Sequence, residues 1–503
     1  MLPSLFAPIF FARFRVAQAT ASPSTEAWPD ARALQTPRVW ALCALVILLE
    51  GFDLQAAGVS APRLAPAFHL APVQLGYFLG ASSVGIFLAS ALGGMCADRF
   101  GRRPVVAGGV ALFGLFSLTT LGAHGLGGLL VARFCTGLGL GLAMPAVIAM
   151  ASDHSPAHLK KRAVGFIYCA IPLGALLSSA VLQSRWAGQD WRPVFLVGGL
   201  APLVVAPLLW WLLPTGTTSA MATGGASAMA AGGASVMAAG GASAMAAGGA
   251  SAMATGGASA MTASGASAMA TGGASAMTAG GASAIAGVAT SGAPGPRAAA
   301  RPFLSGLFGK EHASVTACLW LGTFGTLLVV YLLLGWMPSL LIGLGLGRAQ
   351  VQSVQMTFNL GASLGAAASG ILLDRKFLVA TPVVNYLGLA ACLAVLGFVP
   401  VGFHGALALA AVVGATATCG QAAIFALAPL CYGPEVRTTG VGATVSAGRF
   451  GTIAGPLMAG SLLGVGHSAA EVLIVLIPIT LVAGLFVVGV ARILGRPGTT
   501  MAS

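Results

Sequence analysis

Twelve apolar runs, each long enough to cross a bilayer as a helix, constrain this chain more than any other feature. They lie at 39–61, 76–97, 105–123, 126–150, 163–184, 192–213, 315–342, 351–373, 380–400, 405–428, 439–465 and 470–493. Spanning ~30 Å of hydrocarbon takes about 20 apolar residues in a helix. A helix also satisfies its own backbone hydrogen bonds, which an open sheet in lipid does not. Of the 503 residues, 57% are hydrophobic and 7% charged, against roughly 25% charged in a soluble domain. The expected fold is an all-α membrane protein of twelve transmembrane helices, arranged as two six-helix bundles at 39–213 and 315–493.

The formal net charge of +13 would point to nucleic acid in a soluble protein, but here it sits in short clusters between apolar runs. If twelve helices alternate, 18 of the 24 Lys and Arg residues fall on one side, among them Arg99, Arg102, Arg103, Lys160, Lys161 and Arg162. Four fall on the other, Arg63, Arg185, Arg192 and Arg348, and Arg133 and Arg449 lie within spans. Short loops rich in Lys and Arg stay in the cytoplasm. Both termini are therefore expected there, with no nucleic-acid partner. The eight cysteines show no CxxC or metal-ligand spacing and read as small packing residues. No metal, cofactor or catalytic group is expected.

Three segments lie outside the two bundles. Residues 1–38 form an N-terminal extension, read as a cytoplasmic tail; a cleaved signal peptide and a start codon placed too early are the alternatives. Residues 494–503 form a C-terminal tail. Residues 214–314 join the bundles. Within them, at 219–282, an eight-residue unit of the type SAMATGGA recurs eight times, with Met at every eighth position from Met221 to Met277. These units carry no charge and few large side chains, so they cannot bury a core. They read as a disordered cytoplasmic linker, with partner binding the alternative.

The chemistry concentrates in a few polar residues within apolar runs. The first span reads LLEGFDLQAAG, with Glu50 and Asp53 three residues apart and so on one helical face. A charge at the centre of a bilayer costs roughly 2.5–3.5 kcal/mol on insertion scales, and such residues mark ion or substrate pathways. This face is expected to line a polar cavity and to handle protons or substrate. Arg133 lies in the fourth span beside Gly137, Gly139 and Gly141, and Arg449 in the eleventh. Each needs a counter-ion or water. A guanidinium can hold a carboxylate through two parallel hydrogen bonds. For Arg133 a purely structural role is the alternative, and for Arg449 a pair with a protein carboxylate.

The second span ends GGMCADRFGRRP. Gly94, Asp98, Arg99, Gly101, Arg102 and Arg103 fit the G-x-x-x-D-R-x-G-R-R loop of the major facilitator superfamily, a candidate cytoplasmic gate built from breakable ion pairs. A weaker echo, Gly370 with Asp374, Arg375 and Lys376, follows the eighth span and suits two related halves. The run from Arg133 to Gly141 resembles a superfamily motif linked to proton coupling. Pro434, Glu435 and Arg437 resemble another of its loops.

Within the superfamily, LLEGFDLQAAGVSAP resembles the first helix of the aromatic acid:H+ symporters. Together with LLVVYLLLGWMP and TTGVGATVSAGRFGTIAGPLMAG it is most similar to the 3-(3-hydroxyphenyl)propionate transporters. The resemblance covers about 38–213 and 300–495, leaving out the tail and the repeat. It implies a monomeric, multi-pass protein of the bacterial inner membrane, not an enzyme, that imports a small aromatic carboxylate with a proton by alternating access. Glu50, Asp53 and Arg133 would serve proton coupling and Arg449 substrate binding. Tyr331, Trp336 and Gln421 are pocket candidates from this sequence alone, each with ordinary packing as the alternative. Rival functions are a proton-driven drug or metabolite efflux antiporter and a transporter-like sensor of aromatic acids.

Overall fold

A computed structural model describes residues 30–155, 167, 170–214, 313–372, 378–432 and 436–494. Most of the N-terminal extension, the octapeptide repeat, the C-terminal tail, Asp374, Arg375, Lys376, Pro434 and Glu435 lie outside the described residues.

Twelve α-helices occur among the described residues. In the first half they are α1 (Asp30–Ala67), α2 (Pro72–Phe100), α3 (Arg102–Thr119), α4 (Leu126–Asp153), α5 (Ala170–Gln183) and α6 (Arg192–Leu212). In the second they are α7 (Ala313–Gly343), α8 (Arg348–Leu372), α9 (Ala380–Phe398), α10 (Phe403–Leu427), α11 (Arg437–Gly464) and α12 (Ala469–Leu494). Nine of the described helices are long and apolar enough to cross a membrane. α8 and α11, which carry the polar residues discussed below, are not among the nine. α1 begins at Asp30, inside the segment expected to be extension, and its apolar span begins at Pro37.

The halves repeat one packing scheme. In the first half α2 packs on α4, α1 on α5, and α3 on α4 and α6. In the second, α8 packs on α10, α7 on α11, and α9 on α10 and α12. The backbones approach closely, as small residues permit. A Cβ on Gly174 would run into the Leu48 carbonyl of α1, and one on Gly137 into the Ser82 carbonyl of α2. Gly174→Val is therefore expected to push α5 off α1 and to abolish the monodisperse folded protein on detergent size exclusion. A wild-type elution profile would show that α1 and α5 tolerate separation.

Three helix pairs carry the main contacts between the halves: α1–α7, α2–α11 and α5–α8. All lie toward the end of the bundle where α1 turns into α2. There Gly460 meets Pro72, Gly464 meets Val73, and the Gln183 amide donates to Ser353 Oγ at 2.7 Å. One hydrophobic core crosses the divide in this region, joining Phe78, Leu79 and Phe195 to Leu332, Trp336 and Leu473. Toward the opposite end the cores are separate. One is built on Val39, Val110, Val147 and Leu209, the other on Leu319, Leu427, Tyr432 and Val490. The halves are thus joined at one end and apart at the other.

Candidate functional site

α1 carries Glu50 and Asp53 through the middle of the first half, Glu50 5% exposed and Asp53 fully buried. Although one face of the helix presents both, their partners differ. Asp53 points into its own half. Arg133 Nη1, from α4, donates to Asp53 Oδ1 at 3.1 Å and to Oδ2 at 3.0 Å. Ser117 Oγ, from α3, donates to Oδ1 at 3.2 Å. Arg133 Nη2 donates to the Asp53 carbonyl and to Ser82 Oγ of α2, both at 3.3 Å. The guanidinium lies 6.0 Å from the Phe195 ring centroid of α6. One ion pair therefore ties together α1, α2, α3, α4 and α6. Desolvating two charges is expensive unless further hydrogen bonds satisfy them; here all but Arg133 Nε among the guanidinium nitrogens have partners.

Glu50 instead faces the divide. The charged groups in electrostatic reach of it are Arg449 of α11 and Asp53. Tyr331, from α7, lies in the electrostatic field of both Arg449 and Glu50. Glu50, Arg449 and Tyr331 form a second polar group, drawn from both halves. Beside it a cavity of about 20 Å3 is lined by Leu54, Ser82, Ser83, Tyr331 and Leu334, among others. That is room for about one water, too little for an aromatic acid.

The sequence-level expectation grouped Glu50, Asp53 and Arg133 in one set. The coordinates divide them: Arg133 forms an ion pair with Asp53, while Glu50 stands outside that pair and feels Arg449 of α11 only at longer range. Tyr331 joins Arg449; Trp336 and Gln421 are placed elsewhere. Trp336 is 2% exposed in the shared core, its indole N–H donating to the Pro456 carbonyl at 3.0 Å. Gln421 is half-buried on α10.

At the α2–α3 turn Gly101 has φ of 90°, a left-handed conformation that suits glycine. Gly94 is buried. Arg102 pairs with Asp153 at the end of α4. Arg103 stands 5.1 Å from the Trp210 ring centroid of α6, and Arg99 is exposed, 5.6 Å from the ring of Phe100. Asp98 lies in the last turn of α2. The start of α3 is thus fastened to α4 and α6 within one half.

Sequence reasoning missed Asp153, Ser82, Ser117 and Phe195. Asp153 carried a usable signal, an acidic residue ending a span opposite a cluster of arginines. The serines carried none, because small residues recur throughout these helices.

The Major Facilitator Superfamily model matches residues 43–456. The chain belongs to the major facilitator superfamily. Membership makes it a multi-pass membrane transporter rather than an enzyme. This facilitator is 36% identical to the 3-(3-hydroxy-phenyl)propionate transporter of Escherichia coli (strain K12), over 89% of this chain and 92% of that protein. It is 29% identical to the gallate transporter of Pseudomonas putida, over 87% and 88%, and 29% identical to a 4-hydroxybenzoate transporter of the same species, over 88% and 89%. Among solved structures, a bacterial homolog of the human lysosomal transporter Spinster superposes with a TM-score of 0.64 at 14% identity, covering 92% of this chain and 99% of the other. The xylose transporter XylE of E. coli gives 0.61 at 17% identity, covering 93% and 98%. These likenesses support the facilitator fold.

Proposed function

We propose that this facilitator imports a hydroxylated aromatic carboxylate, of the 3-(3-hydroxyphenyl)propionate type, together with a proton. The observation that carries the reading is the Glu50–Arg449–Tyr331 group at the divide, in a chain whose relatives are named as transporters of 3-(3-hydroxy-phenyl)propionate, gallate and 4-hydroxybenzoate. The protein sits in the bacterial inner membrane with both termini cytoplasmic, as the distribution of Lys and Arg requires. The end where the cores of the two halves are separate is then cytoplasmic. It works as a monomer, since one chain supplies both sides of the site.

Arg449 is the shared element. With no substrate, Glu50 supplies its counter-charge. An arriving substrate carboxylate competes for the same guanidinium and is held through two hydrogen bonds, with its ring against Tyr331. Glu50, displaced, takes the proton, so that one cation faces one anion and little net charge is carried between open states. Asp53, already matched by Arg133, holds the first half rigid while it rocks. The Arg102–Asp153 contact keeps the cytoplasmic ends of α3 and α4 together during that motion.

The test is uptake of radiolabelled aromatic acids into proteoliposomes with an imposed pH gradient, acidic outside. Accumulation that collapses with a protonophore is expected. Downhill equilibration alone would remove the proton from the reading, and export of the acids against their gradient would favour an antiporter. Arg449→Lys keeps the charge but loses the planar fork, so KM is expected to rise about 10-fold or more, with smaller change in protein yield. An unaltered KM would take Arg449 out of the binding site.

A further inference from the structure

Beyond the Glu50–Arg449–Tyr331 group, one set of buried polar side chains has no part in the mechanism above. α8 carries Gln352, Gln355 and Asn359, spaced so that at about 100° per residue they share one face. They are 4%, 0% and 1% exposed. The opposite face of α8 is taken by α10, where Gly361 and Gly365 press against Ala411 and Ala415. The amide face is the one turned to the first half, because Gln352 Nε2 donates to the Val59 carbonyl of α1 at 3.4 Å.

These amides are incompletely used. Neither amide atom of Gln355 has a hydrogen-bond partner, nor has Asn359 Nδ2 or Gln352 Oε1. Across the divide, Gln55 Oε1 of α1 and Ser178 Oγ of α5 are also unpartnered and fully buried. Folded proteins pair the great majority of such atoms, so a cluster of them at one interface needs a reason.

Its position supplies one. α1 and α8 run antiparallel, and Gln352 stands at the level of Val59. Seven residues along each helix, about 10 Å at 1.5 Å per residue, Asn359 reaches the level of Phe52, next to the Glu50 layer. The amides therefore form a column about 10 Å long, rising from the carboxylate-binding level toward the closed end. The unpaired atoms include both donors and acceptors. A carboxylate satisfies only donors and a cation only acceptors, whereas a hydroxyl satisfies one of each.

We propose that the amide face of α8, centred on Gln355 and Asn359, is the subsite that takes the ring hydroxyl of a hydroxylated aromatic acid whose carboxylate is held by Arg449. This assignment rests on the transport reading above and deepens it: α8 sets the preference for hydroxylated rings. A site built to hydrogen-bond a substrate hydroxyl rejects the analogue that lacks it, because its own polar groups are then left unpaired.

The test compares 3-(3-hydroxyphenyl)propionate with unhydroxylated phenylpropionate in proteoliposomes, for wild type, Gln355→Leu and Asn359→Leu, with size exclusion to confirm folding. In wild type the hydroxylated acid should have the lower KM by at least 10-fold. In each variant its KM should rise about 10-fold, while that of phenylpropionate falls or stays the same and kcat changes little. Equal shifts for both acids, or none, would overturn the subsite and leave the amides as holders of structural water; two misfolded variants would do the same. A wild type that takes up neither acid would instead sink the transport reading, and the subsite with it.

Discussion

Glu50→Gln is expected to abolish uphill accumulation of substrate while leaving exchange of internal for external substrate. The glutamine keeps the size of the side chain and a carbonyl for Arg449, but it neither carries a charge nor takes up a proton. Each pH unit across the membrane is worth about 1.4 kcal/mol, a factor of ten in accumulation for one proton per substrate. A two-unit gradient should therefore concentrate substrate up to about 100-fold in wild type and not at all in the variant. Counterflow, which needs no net proton movement, separates lost coupling from lost binding. A variant that still accumulates substrate against its gradient would show that the proton travels elsewhere, with Asp53 the next candidate.

Asp53→Asn addresses the other half of the motif and should fail differently. Asp53 and Arg133 are both fully buried and joined at 3.0 Å. Removing one partner leaves a buried charge uncompensated, a loss of about 3–5 kcal/mol. Asp53→Asn or Arg133→Gln alone is expected to lower both yield and the apparent Tm in detergent. The double variant should recover most of the loss, because two neutral amides can hydrogen-bond in the same space. The double-mutant cycle isolates the pair. If the single variants melt with the wild type, or the double melts below both, the pair is not what holds α1 to α4. This separates the two carboxylates by phenotype, one in coupling and one in stability.

The architecture was legible in the linear sequence because bilayer thickness sets span length and water is absent from the hydrocarbon. Span boundaries match the helices within a few residues for most of the chain; α10 is expected at 405–428 and observed at Phe403–Leu427. α1 is the largest departure. Its helix starts nine residues early, over Asp30 to Arg38, whose polar residues give hydropathy nothing to detect. The glycine-rich loop after α2 was equally readable, since Gly101 requires a backbone that few other residues adopt.

Partner choice inside the membrane was not legible. Glu50, Asp53, Arg133 and Arg449 were all conspicuous as charges in apolar runs, yet sequence spacing says nothing about which guanidinium meets which carboxylate. Three residues along one helix separate a carboxylate locked within its half from one that faces the divide, and where α4 packs against α1 decides between them. Trp336 shows the same limit. An indole in a span suggests a ring-stacking wall, but packing against α11 gives its N–H to the backbone carbonyl of Pro456.

What the sequence alone determined is the set of spans, their alternation, the side on which the basic loops lie and the kinds of polar group buried among them. These follow from one-dimensional quantities: length, hydropathy and charge count. Only the tertiary structure decided how those groups are shared out, Asp53 paired with Arg133, Glu50 outside that pair in the field of Arg449, and the amides of α8 with nothing in their own half. Electrostatic and hydrogen-bond energies depend on separations of a few ångströms between helices far apart in sequence, and no local property of the chain encodes those separations.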